Sequence, residues 1–287
     1  MDALKNLIKL LTLTKLEQNK FQGDVEDLGL PKVFGGQIMA QGLSAAIQVV
    51  ESERQLHSFH CYFINAGNIH LPIIYETELL REGKSFSCVS ILAKQHDELL
   101  CRMTASFQVL EQGFEHQNAM PEVAEPTSLY SENELIKAMA SLMPSHLKEK
   151  FQAERPFDVR IKYVNDPFNG TKLPPKQSVW FKTMGEIDFT NQGLQQCLFT
   201  YFSDFHCLPI ALYPHEKGIM QQGVRFATLD HGIWFHRDFN LNDWTLFSLD
   251  SPNAFGGRGL TRGQVFNQQG VLLATVQQEG AIRYTDL

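Results

Sequence analysis

The hydrophobic pattern of the chain consists of one long continuous block and a series of short runs. In the block, positions 191–212, NQGLQQCLFTYFSDFHCLPIAL, almost every residue from Cys197 onward is apolar or aromatic. A helix apolar on nearly every side is buried on nearly every side. The segment is therefore expected to be a helix enclosed by the rest of the fold, with Pro214 just beyond its end. The short runs at 57–63, 73–81, 86–94 and 99–109 read as strands. Glu82-Gly83-Lys84 and His96-Asp97-Glu98 separate them as turns, which predicts an antiparallel meander. Before these strands, after Phe34-Gly35-Gly36-Gln37, the small residues Ala40, Gly42, Ser44, Ala45 and Ala46 recur at helical spacing. They predict a helix packed closely on a sheet. The N-terminal stretch reads as an amphipathic surface helix, and residues 19–30 as irregular or extended chain.

Residues 112–156 break the pattern with Pro121, Pro126 and Pro156, and contain a polar amphipathic helix pair interrupted at Pro144. Beyond them the first pattern returns. Strand-like runs at 157–164 and 178–183 lead into the buried helix, and others follow at 228–236, 244–249, 259–266 and 271–280. An offset of 172 places His60-Cys61-Tyr62-Phe63 on Gly232-Ile233-Trp234-Phe235, and an offset of 171 places Cys101–Ala105 on Leu272–Val276. The order of elements is the same in both halves. The expected architecture is α+β: two tandem units, residues 1–112 and 157–287, each a long helix wrapped by an antiparallel sheet, joined by a helical connector at 113–156.

A duplicated chain is informative where its copies disagree. Asp204 interrupts the apolar helix, and a carboxylate in such surroundings is destabilising unless something pairs or hydrogen-bonds it. Either it faces outward and is inert, or it is retained for chemistry. Pro209 is expected to disturb the turn back to Phe205 and to kink the helix beside the acid. The first helix has Gln37 and Gln41 but no acid. In the last strand, alternation puts Cys101, Met103, Ala105 and Phe107 on the core face. At an offset of 171 the equivalent row is Leu272, Ala274, Val276 and Gln278. Gln278 then either reaches solvent past the strand end or aims an amide at the helix, and Gln277 points the other way.

Composition narrows the classes. A formal charge of −7 argues against nucleic acid or an anionic membrane as a general partner, though not against a small anionic ligand. No apolar run approaches the ~20 residues that span a bilayer, and no signal-peptide pattern is evident. Five cysteines without CxxC spacing read as buried free thiols in a reducing compartment. A cytoplasmic location is the expectation. His231 and His236 fall on opposite faces of a strand, as do His57 and His60, and no HxxxH or HExxH helix occurs, so no metal site is expected. There is no GxSxG elbow. The glycine-rich stretches at 34–36 and 255–259 lack dinucleotide or phosphate-loop spacing. The second is either an ordinary turn or a close backbone approach to a ligand, with Arg258 and Arg262 nearby. Asp204 and His206 lie about 200° apart around a helix and do not aim at one reacting atom unless the helix breaks.

With EDLGL, VFGGQ, HSFHCYF, MTASFQ, GFEHQ, FSDFHCLPIAL, ATLDHGIWFHR, FNLNDW and VQQEGAIR, the chain resembles the type II acyl-CoA thioesterases of bacteria nearly end to end. The resemblance implies a double hotdog fold, fatty acyl-CoA substrates, no cofactor, and assembly of several chains, a dimer or tetramer. It also implies a catalytic set that activates water: Asp204, Thr228 in ATLDH, and Gln278 before Glu279-Gly280. Thr228 carries no signal of its own beyond opening a strand, and Gln277 doubles the amide.

The implied reaction is direct attack of water, with Asp204 as general base and Thr228 and Gln278 holding the water. A helix backbone N–H near Gly35-Gly36 would serve the oxyanion, and the acyl chain would lie in an apolar tunnel between helix and sheet. Two other readings share the pattern. A hotdog dehydratase or hydratase would need His206 or His231 beside Asp204. A non-catalytic acyl-CoA-binding protein would bind tightly without turnover.

Overall fold

The computed structural model describes residues 2–140 and 145–285. Helix α1 (Asp2–Leu11) buries Leu4, Leu7 and Leu11, which share one face. Its end is tied down: Gln41 Nε2 donates to the Leu10 carbonyl at 2.7 Å and Ser44 Oγ to that of Leu11 at 2.9 Å. The segment expected to be irregular or extended begins with a strand, β2 (Lys20–Gly23), which forms a hairpin with β1 (Thr14–Glu17). These strands are too short for an alternating pattern to stand out. Then come α2 (Gly35–Ile47), β3 (Arg54–Phe63), β4 (Ile73–Glu82), β5 (Phe86–Gln95) and β6 (Glu98–Val109).

The connecting region holds β7 (Tyr130–Ser131), α3 (Glu132–Met139) and α4 (Ser145–Gln152). Ser131 caps α3 by accepting from the Glu134 N–H, satisfying a donor the helix cannot. The interruption expected at Pro144 lies outside the described residues. The second half contributes β8 (Phe157–Ile161), β9 (Lys176–Thr183), α5 (Gln192–His206), β10 (Val224–Phe235), β11 (Thr245–Phe255), β12 (Arg258–Asn267) and β13 (Leu272–Tyr284).

These strands form one sheet in the order β1-β2-β4-β5-β6-β3-β10-β13-β12-β11-β9-β8-β7. The expected meander therefore holds only for β4–β5–β6. Strand β3 lies on the far side of β6, and β10 takes the same place beside β13. Strands β3 and β10 pair antiparallel and join the halves. His60 lies opposite Gly232, with Tyr62 opposite Asp230 and Ser58 opposite Trp234. At the 172 offset each member of these pairs is opposite its counterpart's mirror position, so a local twofold axis passes between His60 and Gly232.

Register corrects the second offset. Met103 pairs with Cys61, and Val276 with Ile233, the counterpart of Cys61. The last strands are thus related by 173, not 171. Gln278, opposite His231, matches Ala105, opposite Phe59. Phe107 matches Gly280, where any Cβ would lie 2.3 Å from Leu208. Parity is unchanged by a two-residue correction, so the core-facing row stands.

Helices α2 and α5 run antiparallel, with the start of each at the end of the other. A Cβ on Gly36 would fall 2.5 Å from the Tyr201 carbonyl, so glycine sets how closely they approach. Asn191 caps α5 by accepting from the Leu194 N–H at 3.1 Å. Gln192 and Gln195 bond the backbone at Phe239 and Leu241. The α-helix stops at His206, and a 3-10 segment, Leu208–His215, follows. Pro209 sits in the first turn of that segment, where its missing N–H is not needed. It therefore marks a helix boundary, and Asp204 belongs to the last turn of α5. The space expected to hold a tunnel between α5 and the sheet is filled by rings. Phe181 stacks on Phe202 at 4.0 Å, and Phe199 contacts Phe235, Phe239 and Phe247.

Candidate active site

The end of α5 meets the start of α2, and β10 and β13 lie beneath. Asp204 is half-buried there. Its Oδ1 accepts from Gln278 Nε2 at 2.7 Å and from Thr228 Oγ1 at 3.4 Å. Gln278 Nε2 also donates to Thr228 Oγ1 at 2.7 Å. The backbone N–H of Gly36, at the positive end of α2, bonds the same carboxylate. Burial pushes the Asp204 pKa up to about 6, against the opposing bonds from Gln278, Gly36 and Thr228. A carboxylate so poised titrates near neutrality, the range useful to a general base. Gly35 is required by proximity, since a Cβ there would lie 2.7 Å from Asp204 Oδ2 and 3.1 Å from the Phe63 ring.

Strand parity separates the two glutamines. Gln278 is fully buried, and Gln277 is exposed. Pairing with β10 is regular through this stretch, so no bulge exchanges them. Thr228 is positioned by an irregularity the sequence did not announce: register shifts between Thr228, opposite Gly280, and Asp230, opposite Glu279. A bulge of this kind re-aims a side chain.

Arg258 and Arg262 do not join the site. Arg262 is paired in register with Gln277, on the outer face of the sheet, and bonds Asp250 at 2.6 Å. Arg258 bonds Glu279 at 3.1 Å. His206 turns to Glu132 at 3.7 Å, as the angular separation from Asp204 predicts. No group of three or more histidine, cysteine, aspartate or glutamate side chains suited to a metal ion occurs among the described residues.

One contact was missed entirely. Ser203 Oγ lies 3.0 Å from His231 Nε2, both buried. These residues are far apart in sequence and lie on different elements, and only the fold brings them together. The pair is not an activated nucleophile. Ser203 is inaccessible, and burial lowers the His231 pKa to about 3, too low for a base at neutral pH.

The sequence matches two family models, one described as the acyl-CoA thioesterase N-terminal domain over residues 22–108 and one as acyl-CoA thioesterase over residues 146–281. It is 55% identical to acyl-CoA thioesterase 2 of Haemophilus influenzae over 285 residues, which is 99% of each chain. Among solved structures, it resembles the acyl-CoA thioesterase II TesB2 of Mycobacterium marinum with a TM-score of 0.79, 33% identity, and coverage of 98% of this chain and 99% of that one. A hot dog fold protein of unknown function from Alicyclobacillus acidocaldarius matches in fold alone, at a TM-score of 0.76 and 18% identity over 98% and 99% of the two chains. By these matches over nearly its whole length, the chain belongs to the acyl-CoA thioesterase family of thioester hydrolases.

Proposed function

We propose that this protein hydrolyses fatty acyl-CoA thioesters by direct attack of water, with Asp204 as the general base. The observation that carries the reading is the carboxylate itself: raised to about 6 by burial, yet held by Gln278, Thr228 and the Gly36 N–H. A base in this state takes a proton from water at neutral pH and returns it to the thiolate leaving group. Thr228 and Gln278 orient the water. The start of α2, whose Gly36 N–H bonds the carboxylate, lies beside the reacting centre, and its partial positive charge favours the oxyanion. The buried Ser203–His231 pair does not compete as nucleophile. The thiols of Cys61, Cys197 and Cys207 are pushed up by burial and stay protonated.

The acyl chain is accommodated on the connector side of α5. A cavity of about 270 Å³ opens there, lined in part by Leu7, Leu28, Ile136, Phe157, Tyr201 and Phe205. Phe34, next to Gly35, stacks on Phe205 at 4.1 Å, so these two rings stand between the cavity and the carboxylate. The same reading gives the protein a cytoplasmic location and an assembly of several chains, which light scattering checks. No helix among the described residues is long and apolar enough to cross a membrane.

The test is release of free CoA thiol from a panel of acyl chain lengths, with mass spectrometry on stopped reactions. Turnover without a covalent intermediate is expected. An acyl group trapped on a serine or cysteine overturns the direct-water mechanism, and tight binding without turnover overturns the activity.

A further inference from the structure

Gln278 is an amide, and an amide has two ends. Its nitrogen spends both protons, one on Asp204 Oδ1 and one on Thr228 Oγ1. Its oxygen, Oε1, is buried and accepts no hydrogen bond. Directly opposite on β10 is His231, 1% exposed, whose Nδ1 is likewise buried and unpartnered. Leaving either atom unsatisfied costs about 1–3 kcal/mol.

The tautomer decides whether they satisfy each other. Buried and neutral, the imidazole has one N–H. If Nε2 carries it, Nε2 donates to Ser203 Oγ, and two bare acceptors, Nδ1 and Oε1, face one another. If Nδ1 carries it, Nδ1 donates to Oε1, and Nε2 accepts from the Ser203 hydroxyl at 3.0 Å. Every member is then satisfied. Ser203 Oγ is also within donating reach of the Thr200 carbonyl at 3.0 Å; that carbonyl keeps its helical N–H partner whichever way the hydroxyl turns, whereas Nδ1 and Oε1 find a partner only in the Nδ1–H form.

We infer that His231, held in its Nδ1–H form by Ser203, is a positioning residue that locks the Gln278 amide with its nitrogen toward Asp204 and Thr228. Without that donor Oε1 is left buried and unsatisfied, and the hold of the amide nitrogen on Asp204 and Thr228 loosens. Burial keeps the imidazole neutral across the working range, so the lock does not open with pH. The catalytic consequence rests on Asp204 being the base; the Nδ1–H bond does not.

The ionisable groups on elements around Asp204 leave its titration readable. Cys61 on β3 and Cys207 beyond α5 are thiols raised by burial. His206 on α5 faces Glu132, Asp230 on β10 accepts from the Glu279 N–H, and α2 carries no ionisable side chain.

Two measurements test the inference. Long-range proton–nitrogen NMR of the histidines, with His231→Asn identifying the signal, is expected to show His231 in the Nδ1–H form in the parent and in Asp204→Asn. The Nε2–H form overturns the proposal. Separately, His231→Leu removes the donor, whereas His231→Asn keeps an N–H where Nδ1 stood. In His231→Leu the acid limb of kcat/KM should rise by roughly one pH unit, the worth of one hydrogen bond to a charged acceptor. The kcat should fall roughly tenfold, with KM nearly unchanged. His231→Asn should return the limb to the parent's position. Equal displacement in both variants, or none in either, reduces His231 to packing and overturns its positioning role. If Asp204→Asn keeps full turnover, the base reading falls, while the tautomer still decides the His231–Gln278 bond.

Discussion

Where α5 ends, Asp204 faces Gly35 of α2; where α2 ends, Ile47 faces Gly193 of α5. The twofold relation continues beneath the helices. Thr228 and Leu56 occupy the same position, each at a register shift, before Asp230 and before Ser58. Gln278 corresponds to Ala105. One end of the helix pair is thus Asp, Thr and Gln, and the other Ile, Leu and Ala. The strand pairing and register are the same in both, so topology alone makes no site. The difference lies in three side chains that have value only together. A lone buried carboxylate, hydroxyl or amide is a liability, whereas here each supplies what another needs.

The comparison breaks most directly at Asp204. Asp204→Asn keeps the shape and removes the base, so turnover should fall by roughly 10²–10⁴, measured as CoA thiol release at saturating substrate. The same variant should be more stable at neutral pH. Because the folded pKa is raised from 3.8 to about 6, the folded state binds this proton more tightly than the unfolded chain. The group therefore lowers stability as pH rises through that window, and the deficit is complete above it. At about 1.36 kcal/mol per unit, the gain on substitution reaches at most about 3 kcal/mol near pH 8 and vanishes below about pH 4. Denaturant melts at both pH values check this.

Gln278→Ala removes a preorganised donor and should lower kcat by roughly 10²–10³ with KM little changed. Its exposed neighbour sharpens the point: Gln277→Ala should stay within a few-fold of the parent. Gly35→Ala places a Cβ 2.7 Å from Asp204 Oδ2. Displacing the carboxylate should cost roughly tenfold to a hundredfold in kcat. The smallest effect on turnover belongs to the apolar end. Ala105→Gln buries an amide with no carboxylate to meet and overpacks the strand row. It should lower stability by roughly 1–3 kcal/mol and leave kcat of the folded enzyme unchanged. A large loss of kcat there would mean that both ends of the helix pair serve catalysis.

Much of this was legible before any coordinates. The buried helix, the strands and the duplication follow from periodicity, because burial on all sides and burial on one face leave different patterns. Asp204 and Gln278 stood out as polar residues at apolar positions, and strand parity separated Gln278 from Gln277. Registers were less accessible. The offset of 171 was wrong by two because strand alternation repeats every second residue and cannot see an even slip. Thr228 gave no signal because a bulge aims it, and a bulge depends on the partner strand. Arg258 and Arg262 were drawn in by nearness to glycines, yet their parity puts them on the outer face. The Ser203–His231 contact joins two elements and has no counterpart in linear spacing.

The halves that meet at the β3–β10 seam belong to one covalent chain, and this bears on what such a pair of units is free to become. Two identical subunits meeting across that same axis would carry every substitution twice. A carboxylate introduced at one helix end would appear at the other, with a second desolvated charge and a second set of partners to fit around it. Joined in a single chain, the units escape that constraint. One helix end can specialise in chemistry while its twin keeps the aliphatic packing that holds the molecule together.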